Sequence, residues 1–303
     1  MMTGRGRILF FEGEYERAVE LLRVGLLIAA EVGDGFNLTQ CLFFLGMSQG
    51  NLGRISEALE TFNRAIEIAQ RNGNQMILAK APNCLGWIYR EMGDTARGIE
   101  QNQICAASAR KAGIVEAETN ALVNLAHDHL QNGEPERSRA SLERAEAISD
   151  RDPWLVWRFE GIRRQAAAAE YWLGEGHLER AAGNAQLLLA NSRRHKAPKY
   201  IAMAHRIRAE IAARRGDLAE AEKELSDGIA VLRERPAALE GWKIQAALGR
   251  LRRRAGNAEG SRLAFAEAMV IIRSIAGNTR DEALREKFQN LPDVQEALRE
   301  SKT

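Results

Sequence analysis

Between residues 35 and 72 the apolar positions follow two helical stripes separated by a polar turn at residues 51–54. The stripes repeat at i, i+3, i+4 and i+7, the spacing of helices with one buried face. Their members are Leu42, Leu45 and Gly46 before the turn, and Ala58, Leu59, Phe62, Ala65, Ile66 and Ala69 after it. Two helices joined by a short turn form an antiparallel hairpin. Gly53 suits the left-handed C-terminal cap of the first helix.

A glycine in the same turn position recurs seven times, at Gly13, Gly53, Gly93, Gly133, Gly176, Gly216 and Gly256. The intervals are 40, 40, 40, 43, 40 and 40 residues. A small residue stands seven places before each of these glycines, and another stands five places after it. Small side chains at both places allow the two helices to approach closely. The period predicts one hairpin copied many times, because each copy buries its apolar face only against its neighbours.

This period divides the chain into a solenoid over residues 1–275 and a C-terminal cap over residues 276–303. We expect hairpins at residues 3–31, 35–71, 74–111, 114–149, 153–194, 197–233 and 236–275. The one longer interval predicts a longer loop near residues 150–153, with Pro153 in the first turn of the next helix.

The two ends of the chain lead to different expectations. In the cap, Asn278 or Thr279 is expected to begin a helix over residues 280–289, and Leu291 a last short helix. At the other end, Met1 falls where the first helix of hairpin 1 should already be under way. Because a solenoid normally carries a polar capping element at each end, we expect the tail of a longer protein or a truncated reading frame. The incomplete first repeat could also support self-association.

The repeat resembles the tetratricopeptide repeat, whose signature combines Leu-Gly, an aromatic residue, and Ala, Phe and Ala in the second helix. The Leu-Gly pair is represented by Leu45-Gly46, Leu85-Gly86, Leu125-Ala126 and Leu248-Gly249. The second-helix signature is represented by Ala58-Phe62-Ala65 and Ser261-Phe265-Ala268. The aromatic position holds Tyr89 and Trp172 in two repeats, with Gln49 and His129 as departures.

The resemblance implies an all-α, right-handed superhelical solenoid of seven helical hairpins with a C-terminal capping helix. Its period exceeds the usual repeat of about 34 residues, and no proline closes a unit. In this respect it resembles kinesin light chains, bacterial peptide-sensing regulators and the helical tails of bacterial signalling ATPases and nucleotide cyclases.

Composition and charge narrow the function classes. The chain is 45% hydrophobic and 28% charged, with a net charge of +2. Residues 1–150 carry a net charge of −5 and residues 151–303 one of +7, which is either a solvated basic surface or attraction for an acidic partner. The three cysteines form no CxxC pair, which favours a reducing cytoplasm. No apolar run approaches the about 20 residues that a membrane span needs.

Motifs for catalysis and cofactor binding are absent from the sequence. It contains no phosphate-binding glycine loop, no HExxH and no GxSxG elbow. The pair His127 and His129 is a poor metal site, because residues two apart point to different helix faces. Basic clusters near Arg193 and Arg250 lack the interleaved aromatic residues typical of nucleic-acid binding. We therefore expect no enzyme activity, no cofactor, no metal and no nucleic-acid partner.

The resemblance places candidate binding residues on the first helix of each hairpin, which lines the concave groove in this family. Positions 13, 10, 6 and 3 before each turn glycine are expected to face the groove. The candidates are Gln40, Lys80, Asn83, Trp87, Arg90, Asn120, His127, Arg163 and Arg206. Trp87 either anchors a ligand or packs under the next repeat while Arg90 pairs with a carboxylate. Arg206 is expected to pair with Glu210, four residues on.

These features predict a cytoplasmic interaction module that binds a peptide or protein surface in its groove. The family resemblance suggests a regulatory region of a larger bacterial signalling protein. The Lys and Asn pattern that holds chaperone C-termini fails at these positions, so chaperone tails are not the expected ligand. The alternative is a regulator in which a small molecule or signalling peptide changes the superhelix and thereby controls an output domain.

Overall fold

The protein is an all-α solenoid, as the sequence predicts. The computed structural model describes residues 2–152 and 159–302, and within these residues it contains sixteen helices and no strand. The helices of hairpins 1–4 are α1 (Met2–Phe11), α2 (Tyr15–Glu31), α3 (Gly35–Asn51), α4 (Ile55–Asn72), α5 (Gln75–Glu91), α6 (Thr95–Ala112), α7 (Val115–Gln131) and α8 (Pro135–Arg151). Those of hairpins 5–7 are α9 (Phe159–Gly174), α10 (Leu178–Arg194), α11 (Pro198–Arg214), α12 (Leu218–Glu234), α13 (Ala238–Arg254) and α14 (Ala258–Gly277), followed by α15 (Glu282–Gln289) and α16 (Pro292–Glu300).

Each hairpin turns at the glycine that sets the period. Gly53 has φ +76°, a left-handed conformation that suits a residue without Cβ. The amides of Gly53 and Arg54 donate to the carbonyls of Gly50 and Gln49 at 3.0 and 2.9 Å, which satisfies the end of α3. The N-termini of six helices are capped by side chains that accept from the amide three residues on: Asp34, Asn74, Asp94, Asp217, Asn257 and Asp281.

The small residues of the repeat stand where the paired helices touch. A methyl group added at Gly46 would lie 2.8 Å from the ring of Phe62, and one at Gly249 would lie 2.7 Å from that of Phe265. Both rings are fully buried. The close approach predicted from the sequence is therefore present, and it allows hairpins 2 and 7 to bury a phenyl ring against their own first helices.

The solenoid winds far enough for its last hairpin and cap to return to its first hairpins. The Nζ atom of Lys243 lies 2.6 Å from a carboxylate oxygen of Glu91, and that of Lys287 lies 2.8 Å from Asp94. We call this contact of hairpins 1–3 with α11 and α13–α16 the closing interface. Its core joins Trp87, Ile88 and Met92 to Trp242, Ile272, Phe288 and Val294. The superhelix thus closes on itself around a central space.

The cap begins slightly later than expected. Asn278 ends α14, and its backbone amide bonds to the carbonyls of Ser274 and Ile275. The hydroxyl of Thr279 donates to Ile275 O at 2.8 Å. Both residues therefore complete the preceding helix, and Asp281 caps α15 in their place. The last helix follows Leu291 as predicted. The expected position of Pro153 lies outside the described residues, and the boundary between solenoid and cap at residue 275 stays a prediction.

Among the described residues, no helix combines the length and apolar character needed to cross a membrane.

Candidate functional site

The central space is a cavity of about 650 Å³ lined by the first helices of all seven hairpins. Pockets of roughly 300–1,000 Å³ hold small ligands in other proteins. The wall is built mainly from α1, α3, α5, α7, α9, α11 and α13, with Tyr15 from α2 and His195 from the turn before α11. The cavity has an aromatic end and a charged wall.

Hairpins 1 and 2 supply the aromatic end. It is lined by Phe10, Phe11, Tyr15, Phe43, Phe44 and Met47. The rings of Phe10 and Phe44 have centroids 5.6 Å apart, and those of Phe43 and Phe44 meet edge to face at 5.4 Å. Rings packed in this way are rigid and present a large apolar area. This end of the cavity can therefore hold an apolar group.

Asn51 interrupts the aromatic end with an unsatisfied acceptor. Its side-chain nitrogen donates to the carbonyl of Met47 at 2.8 Å, which fixes the orientation of the amide. Its Oδ1 atom is buried and has no hydrogen-bond partner among the described residues. An unpaired buried acceptor costs free energy.

A network of buried amides supports the wall at hairpins 3 and 4. Asn102 donates to Asp128 at 2.7 Å, and Asn83 donates to Asn102 at 3.0 Å. Asn124 donates to the backbone carbonyl of Asn83, also at 3.0 Å. Burial raises the pKa of Asp128, although Arg90 and Asn102 act in the opposite direction. Because these side chains fix one another, the amide groups that face the cavity are held in place.

Hairpins 5 and 6 contribute two cations to the wall. Arg163 donates to the side-chain oxygens of Asn120 and Asn124 at 2.5 and 2.7 Å. Lys199 lies over the ring of Trp87, with its Nζ atom 4.5 Å from the centroid, and 5.6 Å from that of Tyr200. Burial lowers the pKa of Lys199 to about 8, against the opposing effect of Glu91.

The carboxylates of the wall are held by other cations. Glu91 pairs with Lys243 and Arg90, and although burial opposes ionisation, these cations hold its pKa at about 2. Glu170 lies 3.1 Å from His127 and 2.9 Å from Arg206. Burial again opposes ionisation, but His127 and Arg206 hold the pKa of Glu170 well below its ordinary value. Both groups are therefore ionised at neutral pH.

Seven of the nine predicted site residues line one continuous cavity: Lys80, Asn83, Trp87, Arg90, Asn120, His127 and Arg163. Gln40 and Arg206 do not line it. The reason is geometric, since the cavity crosses the first helices obliquely. It is lined by positions 10 to 2 before the turn glycine in hairpin 2, but by positions 21 to 13 before it in hairpin 6. Gln40 and Arg206 lie outside these stretches.

Arg206 forms ion pairs with neighbouring repeats. The predicted pair of Arg206 with Glu210 is wrong. Arg206 instead bridges Glu170 and Glu240, and Glu210 pairs with Arg214. Neighbouring repeats present carboxylates to Arg206 on the inner face, whereas Glu210 is exposed.

Trp87 combines the two roles that the sequence left open. Its side chain is 8% exposed and belongs to the core of the closing interface, yet it also lines the cavity. Arg90 pairs with Glu91 and Asp128, each at 3.4 Å. The assignment of these residues to ligand binding stays a prediction.

Sequence reasoning missed several lining residues, among them Phe10, Phe44, Asn51, Asn124, Lys199 and Tyr200. Part of the signal was present in the repeat. Positions 9 and 2 before the turn glycine line the cavity in hairpins 2, 3 and 4. They extend the predicted spacing along the same helix face. Lys199 and Tyr200 lie at the start of their helix and reach the cavity only because it crosses the repeats obliquely.

Three segments match tetratricopeptide repeat family models: residues 39–72, residues 120–144 and residues 202–225. No curated protein sequence matches the chain. The repeat type predicted from the sequence is confirmed by these segments.

Solved structures similar to this chain are helical repeat proteins. The Rap conjugation gene regulator of plasmid pLS20, in complex with the Phr* peptide, is 16% identical with a TM-score of 0.73, over 91% of this chain and 75% of that one. A Rap protein complexed with competence and sporulation factor is 12% identical with a TM-score of 0.74, over 92% and 75%. A signal transduction ATPase with numerous domains and a tetratricopeptide repeat sensor, from Pyrococcus horikoshii, is 11% identical with a TM-score of 0.54, over 96% of this chain and 42% of that one. This chain is therefore an all-α solenoid, and three of its segments match the tetratricopeptide repeat.

Proposed function

We propose that this protein binds a short peptide in its central cavity and acts as an interaction module. The observation that carries the proposal is a cavity of about 650 Å³ whose wall combines rigid aromatic rings, fixed amides and charged groups. Peptide recognition uses these three kinds of contact: apolar anchors for side chains, amides for the backbone and charges for orientation.

The Rap structures support the same conclusion. Two solenoids with the same fold were solved with a peptide or a competence and sporulation factor bound. Their low sequence identity means that the ligand sequence cannot be transferred. The chemistry of the wall must therefore define the ligand.

The proposal can be tested by capture of peptides on the immobilised full-length protein. The probe is a pool of short random peptides, and captured sequences are read by mass spectrometry. Met203→Trp places a larger side chain into the cavity, since Met203 lines it. The matched control is Leu263→Trp, because Leu263 is 50% exposed on α14 and lies outside the cavity wall.

We expect the wild type and Leu263→Trp to capture the same peptides, and Met203→Trp to lose them while it keeps its helical content and melting temperature. Equal capture by Met203→Trp would place binding outside the cavity. Capture of no peptide by the wild type would contradict the proposal itself.

A ligand-gated regulator is the second candidate, and one contact favours it. Glu91 lines the cavity and also pairs with Lys243 across the closing interface at 2.6 Å. A ligand in contact with Glu91 therefore acts on the contact that closes the superhelix. Small-angle X-ray scattering distinguishes the candidates, because gating requires a change in the radius of gyration on addition of a captured peptide and passive binding requires none.

We further propose that the protein acts without catalysis, in the cytoplasm, as a regulatory region of a larger bacterial signalling protein. Its three cysteines are free and buried, which suits a reducing compartment. Nucleic acid is disfavoured because two arginines at the end of α13 already have carboxylate partners. Arg250 pairs with Asp293 and Glu296, and Arg253 pairs with Glu296 and Glu300. Self-association through hairpin 1 would use exposed apolar residues such as Leu27 and Val32.

A further inference from the structure

Two cations of the cavity wall have no carboxylate partner among the described residues. Arg163 is held by three neutral groups, the amide oxygens of Asn120 and Asn124 and the hydroxyl of Tyr200. Lys199 is held over the faces of Trp87 and Tyr200. Amides and rings orient a cation without neutralising it. Both side chains therefore present positive charge to the cavity.

The acidic groups of the wall are already engaged. Glu91 is paired with Lys243, Glu116 with Lys80, and Glu170 and Glu240 with Arg206. None of these pairs involves Arg163 or Lys199. The positive charge of the two cations is thus available for a ligand, in a partly desolvated place where an ionic contact is stronger than in water.

We propose that Arg163 and Lys199 hold a carboxylate of the ligand. The inference rests on the proposed binding of a peptide in the cavity and names the group by which that peptide is oriented. The carboxylate comes either from the C-terminus of the peptide or from an Asp or Glu side chain. A guanidinium has five N–H donors, more than Arg163 gives to the two amides and to Tyr200, and the ammonium of Lys199 offers three.

The aromatic rings of hairpins 1 and 2 complement this group. They line the same cavity as Arg163 and Lys199. Rings of this kind present an apolar area to an apolar side chain of the ligand. The ligand class is therefore a short peptide that carries an apolar residue and a carboxylate.

Lys199 gives the contact a dependence on pH. Burial lowers its pKa to about 8. The charged groups that face it are Glu91 on α5, Lys243 and Glu240 on α13 and Arg163 on α9. A bound carboxylate stabilises the charged ammonium and raises the pKa. Binding therefore takes up a proton, and the affinity falls as the pH rises through about 8.

The test compares three pools of short random peptides on the full-length protein. The first has free C-termini and no Asp or Glu. The second has C-terminal amides and includes Asp and Glu. The third has C-terminal amides and no Asp or Glu. We expect the first or the second pool to be enriched roughly 10- to 100-fold over the third, the range of a charge-assisted hydrogen bond. Enrichment of the first identifies the C-terminus as the source, and enrichment of the second identifies a side chain.

Two substitutions at Lys199 locate the contact. Lys199→Met is expected to lose the enrichment. Lys199→Arg is expected to keep the enrichment at every pH between about 7 and 9.5, without the decline that the wild type shows, since arginine stays charged. The control Lys223→Met removes an exposed lysine outside the cavity and is expected to behave as the wild type.

Equal capture from all three pools would overturn the carboxylate contact and leave peptide binding intact. Enrichment that survives in Lys199→Met with an unchanged pH profile would also overturn it. Capture from none of the pools would remove the proposed function together with this inference.

Discussion

The turns of hairpins 1–3 and those of hairpins 4–7 share one sequence position and have different surroundings. A methyl group added at Gly53 would lie 2.8 Å from Ile275, and one at Gly93 would lie 3.0 Å from Leu291. A methyl group added at Gly13 would approach Pro198 more closely still. At Gly133, Gly176, Gly216 and Gly256 nothing lies within 4 Å of the same point.

The difference shows two kinds of interaction in one solenoid. In both groups the glycine supplies the left-handed turn, which is a local requirement of the hairpin. Only in hairpins 1–3 does it also leave room for a distant part of the chain. The repeat period encodes the first role. The second follows from how far the superhelix winds, and the cavity depends on it.

The largest expected effect comes from removing a core side chain of the closing interface. Phe288 is fully buried, and its ring lies 6.1 Å from that of Trp242. We expect Phe288→Ala to lower the free energy of unfolding by about 3–5 kcal/mol and to increase the radius of gyration. Denaturant titration and X-ray scattering measure the two effects. Leu263→Ala, at an exposed position, is the control. A loss as small as that of the control would show that the interface contributes little.

The next effect compares two turn glycines directly. Gly53 and Gly176 both have φ +76°, so alanine meets the same backbone strain, about 1–2 kcal/mol, at either place. At Gly53 it also collides with Ile275, which adds about 1–3 kcal/mol. Chemical denaturation of the two variants should therefore separate them by that amount. Equal stability of the two variants would mean that the closing interface accommodates the added methyl group without loss of free energy of unfolding.

A smaller effect concerns the ion pair of Glu91 with Lys243. Because its paired cations hold the pKa of Glu91 at about 2, below the ordinary 4.5, its contribution is present above pH 4.5 and is lost as the pH falls toward 2. We expect the superhelix to open in that range while the hairpins stay helical, as scattering and circular dichroism would report. Opening of the superhelix that coincides with loss of helicity would contradict this expectation. Lys243→Met should lower the free energy of unfolding by about 1.5–3 kcal/mol at neutral pH.

The smallest effect is expected in hairpins 4–7, which lie outside the closing interface at their turns. Arg139 and Glu143 form an exposed pair four residues apart on α8. Such pairs are screened by water and salt. Arg139→Ala should leave the unfolding midpoint unchanged within error, in contrast to Lys243→Met. A clear destabilisation would indicate that the stability of hairpin 4 depends on surface charge.

Contacts within one hairpin could be predicted from the sequence, whereas contacts between distant hairpins could not. Gly46 beside Phe62 could be predicted, because both belong to one hairpin and the period repeats their relation. Seven lining residues could be predicted, because hairpins 3, 4 and 5 expose the expected helix face. Lys199 could not, since it lines the cavity only through the oblique crossing of α11. Arg206 was assigned a local partner, whereas its partners lie one repeat before and one repeat after it.

The closing interface also has a consequence for the order of folding. Contacts within hairpins and between neighbours are local and form quickly, whereas Lys243 and Glu91 are 152 residues apart and Arg280 and Ser56 are 224 apart. Non-local contacts slow folding because a long segment must be ordered before they form. We therefore expect the hairpins to form during synthesis and the cavity only after the ribosome has released the cap. A nascent chain would then have repeats but no ligand site.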